Sequence, residues 1–403
     1  MKKLKKEHER ISTILAFILI PLSGFAMDVY IPSFPQMAND LQVTPANIKL
    51  TMTVYLISYG VSQLFVGMIL DSFGRYKIHL WSLAIFVVSN IFIVLTKDIY
   101  FIHFLRFVQG ITISFIVVSK RAFFIDVFTG EKRKHYTSML TVVWSTAPIL
   151  APFLGGYLQK GFGWQSNFYF LAIYGFVMLL LELKYSGETI IEKQSLKLKN
   201  VFQVYSKLLS AKDFSIGILV LGFSYGMVMV FGMSIPFIVE HHFHLSPVES
   251  GYCALSSGVA IFFGGFLSKK MIDRPFYKKL WLAAISEMIV ALFMLFTSGW
   301  SLPLFALIGL VMLIHFWQGF TYNSYFTYSL VRFPEYAATA SGLASGGSYI
   351  VFSIASYFIS NSLVIDNQKA LSYSYLILLA VIVVLLLILK RYVTKSQKKL
   401  ALA

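Results

Sequence analysis

Runs of roughly 20 apolar residues, the length that carries a helix across a bilayer, recur about twelve times along this chain. They fall near 11–33, 48–70, 78–96, 99–119, 137–159, 166–183, 213–239, 248–268, 280–298, 302–330, 337–361 and 370–389. Runs this long and continuous are unlike transmembrane β-strands, which alternate over ~10 residues. The expectation is an all-α polytopic membrane protein of twelve transmembrane helices. Composition agrees. Of 403 residues, 57% are hydrophobic and 13% charged, against about 45–50% apolar and about 25% charged in soluble domains. That surplus of apolar surface cannot be hidden in a soluble core, so the lipid bilayer is the solvent. A cytosolic enzyme, a secreted disulfide scaffold and a disordered chain are excluded. The single cysteine, Cys253, excludes an intrachain disulfide and a cysteine metal cluster.

The net charge of +16 would suggest nucleic acid on a soluble protein. Its distribution argues otherwise. With the N-terminus placed in the cytoplasm, nearly all Lys and Arg fall in cytoplasmic segments. These include Lys2 to Arg10, Arg75 and Lys77, Lys120 to Lys134, Lys184 to Lys212 with Lys193 and Lys197, Lys269 to Lys279, Arg332, and Lys390 to Lys399. The other face holds Lys97, Lys160 and Lys369, while Lys49 opens a span and Arg106 lies inside one. The positive-inside rule then places both termini in the cytoplasm. No nucleic-acid partner is expected. The basic leader, the apolar stretch 11–22 and Gly24-Phe25-Ala26 resemble a cleavable signal peptide. The apolar run continues through Val29, Tyr30 and Ile31, which suits a retained span.

The chain also repeats itself. Ile31-Pro32, then Leu41 and Thr44-Pro45, matches Ile235-Pro236, then Leu245 and Ser246-Pro247. Arg106 followed by Gln109-Gly110 matches His315 followed by Gln318-Gly319, and Gly155-Gly156 matches Gly346-Gly347. Order and spacing agree, which predicts an N-terminal six-helix bundle over 1–184, a cytoplasmic linker over 185–212 and a C-terminal six-helix bundle over 213–403. Duplicated transporters place their ligand between such repeats.

Ionisable groups within spans are functional candidates by default. Asp28 and Arg106 are the clearest of the first half, and Glu287 in the ninth run is a second candidate carboxylate. In the tenth run His315, Gln318, Tyr322 and Tyr325 are spaced 3, 4 and 3 apart and share one helix face. They are read as cavity residues, with Tyr30, Gln109, Tyr225, Met227 and Phe231. There is no HExxH, no GxSxG, no P-loop and no dinucleotide fingerprint. No cofactor, metal or catalytic residue is therefore expected, and ATP-driven pumping by this chain alone is disfavoured.

Four stretches resemble the major facilitator superfamily. Gly67-Met68-Ile69-Leu70-Asp71-Ser72-Phe73-Gly74-Arg75-Tyr76-Lys77 is similar to its signature between the second and third helices. Leu105-Arg106-Phe107-Val108-Gln109-Gly110 resembles its fourth-helix signature. Ala147-Pro148-Ile149-Leu150-Ala151-Pro152-Phe153-Leu154-Gly155-Gly156 resembles the fifth-helix signature of exporters that exchange drug for proton. Met27-Asp28-Val29-Tyr30-Ile31-Pro32 is similar to the first helix of the Bcr/CflA exporters, the bicyclomycin-resistance type.

The resemblance implies a proton-coupled exporter of amphipathic small molecules in the bacterial inner membrane, acting as a monomer, with protons as the second partner. Proton coupling is expected of Asp28 and Arg106, the clearest buried charges of the first half. The resemblance also implies that Asp71 caps a neighbouring helix end and that Arg75 joins a charge relay, with Gly67, Gly74, Pro148, Pro152, Gly155 and Gly156 as structural positions. The alternatives on the same scaffold are a dedicated exporter of one metabolite, such as a siderophore, and a proton-coupled importer. The fifth-helix signature disfavours the importer.

Overall fold

The computed structural model describes residues 2–190, 198–300 and 302–401. Lys193 and Lys197 of the expected linker lie outside the described residues. The elements are helical, with one isolated parallel bridge between Lys3 and Glu188. In chain order they are α1 (Lys6–Asp40), α2 (Pro45–Phe73), α3 (Tyr76–Leu95), α4 (Ile99–Val127), α5 (Gly130–Phe162), α6 (Gln165–Tyr185), α7 (Leu198–Ser210), α8 (Lys212–Phe237), α9 (Pro247–Lys270), α10 (Phe276–Phe296), α11 (Leu304–Arg332), α12 (Ala337–Ser362) and α13 (Gln368–Ala401). Among the described residues, 11 helices are long and apolar enough to cross a membrane. The fifth expected run lies within α5, which carries Pro148 and Pro152 in its interior. The remaining helix, α7, forms in the linker.

Local chemistry explains the boundaries. Thr44 precedes Pro45, and its hydroxyl accepts from the Asn47 backbone N–H at 3.4 Å, a cap for α2. Asp98 caps α4 by accepting from the Tyr100 N–H at 2.9 Å. Gly74 ends α2 at φ 102°, a conformation costly for any side chain. The first span is interrupted twice. Proline lacks an N–H and cannot continue the i→i−4 ladder, so Pro21 separates Glu9–Leu19 from Leu22–Asp28, and a 3₁₀ turn at Ile31–Ser33 carries Pro32 before Phe34–Asp40 resumes.

Large apolar side chains such as Trp81, Phe104, Ile173 and Ile289 are exposed on the outer faces of the helices, where lipid would receive them. The buried faces hold many small and polar residues, among them Ser58, Ser114, Ser224, Ser348 and Ser356. Apolar outer faces around a core that mixes large apolar side chains with many small and polar ones are the usual arrangement for packing in hydrocarbon.

The chain divides into two compact units, Met1–Lys197 with Ser246–Leu255, and Leu198–Leu245 with Ser256–Ala403. In the first, α2 packs on α4, α3 on α4 and α6, and α1 on α5. In the second, α8 packs on α11, α12 and α13, and α10 on α11 and α13. Each unit contains the same close crossing. A Cβ on Gly110 of α4 would strike the Tyr55 carbonyl and the Ser58 hydroxyl of α2, and one on Gly319 of α11 would strike the Ile261 carbonyl of α9. These are the glycines that the sequence repeat aligns.

Candidate functional site

Asp28 ends the Leu22–Asp28 segment, just before the break at Ile31–Ser33. It is 4% exposed, and its Oδ2 has no hydrogen-bond partner. Arg106 of α4 is fully buried, and its charge acts on Asp28. No salt bridge within 4.0 Å joins the two, although both are described. Arg106 is held by other means. Its guanidinium carbon lies 4.6 Å from the centre of the Tyr30 ring and 4.3 Å from that of Tyr55. Nη1 donates to the Gln109 side-chain oxygen at 2.6 Å and Nε to the Thr51 carbonyl at 3.5 Å, while Nη2 has no partner. The two rings are themselves fixed, Tyr30 hydroxyl to Thr51 Oγ1 at 2.9 Å and Tyr55 hydroxyl donating to the Ser23 carbonyl at 3.0 Å. A cation between two π faces is attracted by both quadrupoles. Arg106 therefore stays in place without a carboxylate partner, and Asp28 keeps a free oxygen.

In the second unit His315 takes the place of Arg106 in the repeat. Its Nδ1 meets Ser257 Oγ at 2.6 Å, its Nε2 meets the Tyr375 hydroxyl at 3.1 Å, and Phe231 stands edge-on at 5.1 Å. Gln318, one turn on, is 1% exposed, and neither its Nε2 nor its Oε1 has a partner. Tyr322 packs on the Tyr225 ring at 5.5 Å, and Tyr225 on Phe352 at 5.1 Å. Met227 and Phe231 are buried. Tyr325 shares the helix face but not the neighbourhood. Its hydroxyl donates to the Asp213 carbonyl at 2.9 Å, beside an ion pair in which Arg332 Nε meets Asp213 Oδ2 at 2.9 Å. Glu287 is 2% exposed, with Oε1 unpartnered.

The loop between α2 and α3 forms a compact network. Arg75 Nη2 meets Asp71 Oδ1 at 2.8 Å, and its Nη1 binds Asp126 of α4. The carboxylate over the start of α3 is Glu188. It accepts from the backbone N–H of Arg75 at 3.0 Å, of Tyr76 at 3.1 Å, of Thr189 at 3.1 Å and of Ile190 at 3.2 Å. Thr189 donates to Asp126 at 2.7 Å. The backbone of Glu188 is zipped to the leader, with its N–H on the Lys2 carbonyl at 2.8 Å and its carbonyl taking the Leu4 N–H at 3.2 Å. Beside this network lies a buried ion pair, Lys120 Nζ to Glu182 Oε2 at 2.5 Å, with His79 Nε2 at 3.4 Å from the same oxygen.

Sequence reading missed Glu188, Glu182 and His79. Glu182 sits in the last turn of an otherwise apolar helix, the one signal that was available.

In the fifth helix, a Cβ on Gly155 would strike the Val29 carbonyl, one residue from Asp28, and one on Gly156 would lie 2.7 Å from the Pro247 carbonyl. Pro148 lies beside Gly24, and the carbonyl of Pro152 beside Gly251. The hydroxyls of Tyr157 and Tyr252 bond at 2.9 Å, within the unit that includes Ser246–Leu255. Gly67 has open space around its Cβ position.

Comparison with known proteins agrees with this architecture. The profile described as Major Facilitator Superfamily matches residues 16–356. The MFS-type transporter YdgK of Bacillus subtilis is 29% identical over 350 residues, covering 84% of this chain and 85% of the relative. A bicyclomycin resistance protein homolog of Haemophilus influenzae is 28% identical over 352 residues, covering 84% and 85%. The multidrug resistance protein MdtL of Escherichia coli O81 is 30% identical over 176 residues, covering 44% and 45%. Among solved structures, a bacterial homolog of the human lysosomal transporter Spinster superposes with a TM-score of 0.74 at 13% identity, covering 96% of this chain and 98% of that one. The nucleoside transporter NupG gives 0.72 at 13% identity, covering 94% and 98%. The profile spans most of the chain and the helical architecture fits it: this protein is a multi-pass membrane transporter of the major facilitator superfamily, with relatives named for bicyclomycin and multidrug resistance.

Proposed function

We propose that this transporter is a proton-coupled exporter of amphipathic small molecules, working by alternating access in the bacterial inner membrane with both termini in the cytoplasm. The observation that carries the reading is Asp28, a buried carboxylate with an unpartnered oxygen in the field of an Arg106 that other groups hold. A carboxylate locked in a salt bridge is a poor proton carrier, because protonation must break the pair. At Asp28 a proton can bind without dismantling the support of Arg106.

A proton taken up from outside neutralises Asp28 and favours release of the cargo. Return to the inward-facing state delivers the proton to the cytoplasm. The membrane potential adds about 2.3 kcal/mol per charge per 100 mV, beside the pH gradient. Two states differing by a few kcal/mol are readily biased by terms of this size. The network of Asp71, Arg75 and Asp126 serves as the inner latch in this scheme. The relatives named for bicyclomycin resistance and multidrug resistance support a drug-like cargo.

A deletion strain profiled for secreted metabolites and against a panel of amphipathic antibiotics tests the reading. Broad hypersensitivity is the expected result. Loss of one secreted metabolite with unchanged drug sensitivity would replace it with a dedicated exporter.

A further inference from the structure

The leader is tied by its backbone to the segment that follows α6. Lys3 and Glu188 form the isolated parallel bridge. The Glu188 N–H donates to the Lys2 carbonyl at 2.8 Å, and the Leu4 N–H donates to the Glu188 carbonyl at 3.2 Å. Lys2 adds its side chain. Its Nζ donates to the carbonyls of Leu183 and, at 3.0 Å, of Lys184. These lie in the last turn of α6, where a cation meets the negative end of the helix dipole. Leu4 packs against the cluster of Ala16, Ile20, Phe123, Phe124 and Phe128. Ser12 donates to the Tyr185 carbonyl at 3.1 Å, and the His8 ring stands edge-on to Tyr185 at 5.4 Å.

Gly187 is what lets the two segments come so close. A Cβ there would lie 2.4 Å from the Leu4 nitrogen and 2.5 Å from the Lys3 carbonyl carbon. Its φ is outside the left-handed region, so proximity to the leader, and not backbone conformation, demands glycine.

The side chain of Glu188 faces a different partner. Glu188 is 8% exposed, and its carboxylate accepts from the backbone N–H of Arg75 at 3.0 Å and of Tyr76 at 3.1 Å. Arg75 is the residue whose guanidinium joins Asp71 and Asp126. Thr189, next in the chain, donates to Asp126 at 2.7 Å. Tyr76 is held from the other end, its hydroxyl donating to the Glu182 carbonyl at 3.3 Å, with Lys2 Nζ 6.0 Å from its ring centre. Residues 186–190 thus carry the leader on their main chain and the Arg75 network on their side chains. Backbone groups need partners, and with the leader displaced Glu188 loses the two bonds that fix its register.

We propose that Lys2, Gly187 and the leader backbone are positioning residues for Glu188, and through it for the loop between α2 and α3, so that docking of the leader sets how firmly the inner latch is held. This rests on the export reading only in taking Asp71, Arg75 and Asp126 as that latch.

The test is amide hydrogen exchange, read by mass spectrometry on the full chain in nanodiscs with no cargo and no pH gradient. Gly187→Ala puts a methyl into the leader backbone and alters no side chain of the latch. Exchange should rise about fivefold or more in the peptides holding Leu4, Glu188, and Arg75 with Tyr76, the factor that loss of one capping interaction gives. Lys2→Met should do the same more weakly, and it serves as the second variant should Gly187→Ala not fold. Lys2→Arg keeps the cation on α6 and should stay within about twofold of wild type. Exchange in α10, in the other unit, should not change, which separates release of the loop from general unfolding.

Faster exchange confined to residues 2–5 and 186–190, with Arg75 and Tyr76 as protected as in the wild type, overturns the proposal. So does unchanged exchange throughout, or equal acceleration in α10. The assay needs neither proton nor cargo, so its outcome is independent of whether Asp28 carries the coupled proton.

Discussion

Arg106 is stacked on Tyr55 at 4.3 Å and on Tyr30 at 4.6 Å, and it makes no salt bridge to Asp28 within 4.0 Å. The aromatic pair holds the cation, and the carboxylate keeps an unpartnered oxygen. Cation–π contacts of this kind contribute about 0.5–2 kcal/mol, enough to set where a guanidinium sits. Tyr55→Leu should therefore slow proton-driven transport about fivefold or more. Tyr55→Phe keeps the ring, loses only the bond to Ser23, and should stay within about twofold of wild type. Transport rates in proteoliposomes at matched protein density distinguish the two. Equal loss in both variants would assign the effect to the hydroxyl.

The ion pair of Lys120 with Glu182 is almost fully buried. Removing one partner of such a pair leaves an uncompensated charge, at a cost of about 3–5 kcal/mol. Lys120→Met should lower the unfolding midpoint strongly, and Lys120→Met combined with Glu182→Leu should recover most of the loss. Cys253 is the one cysteine of the chain and is buried, so a thiol-reactive dye reports the transition. A double variant no more stable than the single one would contradict the pairing.

Glu188 accepts four backbone N–H groups at the start of α3 and in its own loop. Losing a cap costs about 1 kcal/mol. Glu188→Ala should lower stability by that order and free the loop around Arg75. The expected readout is faster protease cleavage near residues 185–190 and a reduced transport rate. Unchanged cleavage would contradict this role of Glu188 in holding the loop.

Two signature glycines should behave in opposite ways. A methyl on Gly155 meets the Val29 carbonyl, whereas one on Gly67 meets nothing within 4 Å. Gly155→Ala should cost several degrees in unfolding midpoint and impair transport, and Gly67→Ala should be near neutral for stability. The same thermal assay reads both.

The spans were legible because a bilayer imposes length and apolarity on each helix separately. The expected run 213–239 and the observed helix Lys212–Phe237 differ by a residue or two. Asp28 and Arg106 stood out because charge within an apolar run is costly wherever it lies. Lys120 with Glu182, and Glu188 with Arg75, were not legible. Such pairs join residues far apart in the chain, and neither periodicity nor local propensity encodes them. Tyr325 shows a related limit. Spacing correctly put it on the face of His315 and Gln318, yet over a 29-residue helix one face meets different neighbours along its length. At Tyr325 the neighbour is Asp213.

The central claim is that Asp28 carries the coupled proton, and it is tested most directly by transport in proteoliposomes under an imposed pH gradient, wild type against Asp28→Asn, with a drug identified by the deletion strain. The account predicts that Asp28→Asn still binds the drug and equilibrates it across the membrane but no longer accumulates it against a gradient. Accumulation by Asp28→Asn with its proton dependence unchanged would contradict the account and transfer the role to Glu287, another buried carboxylate with an unpartnered oxygen.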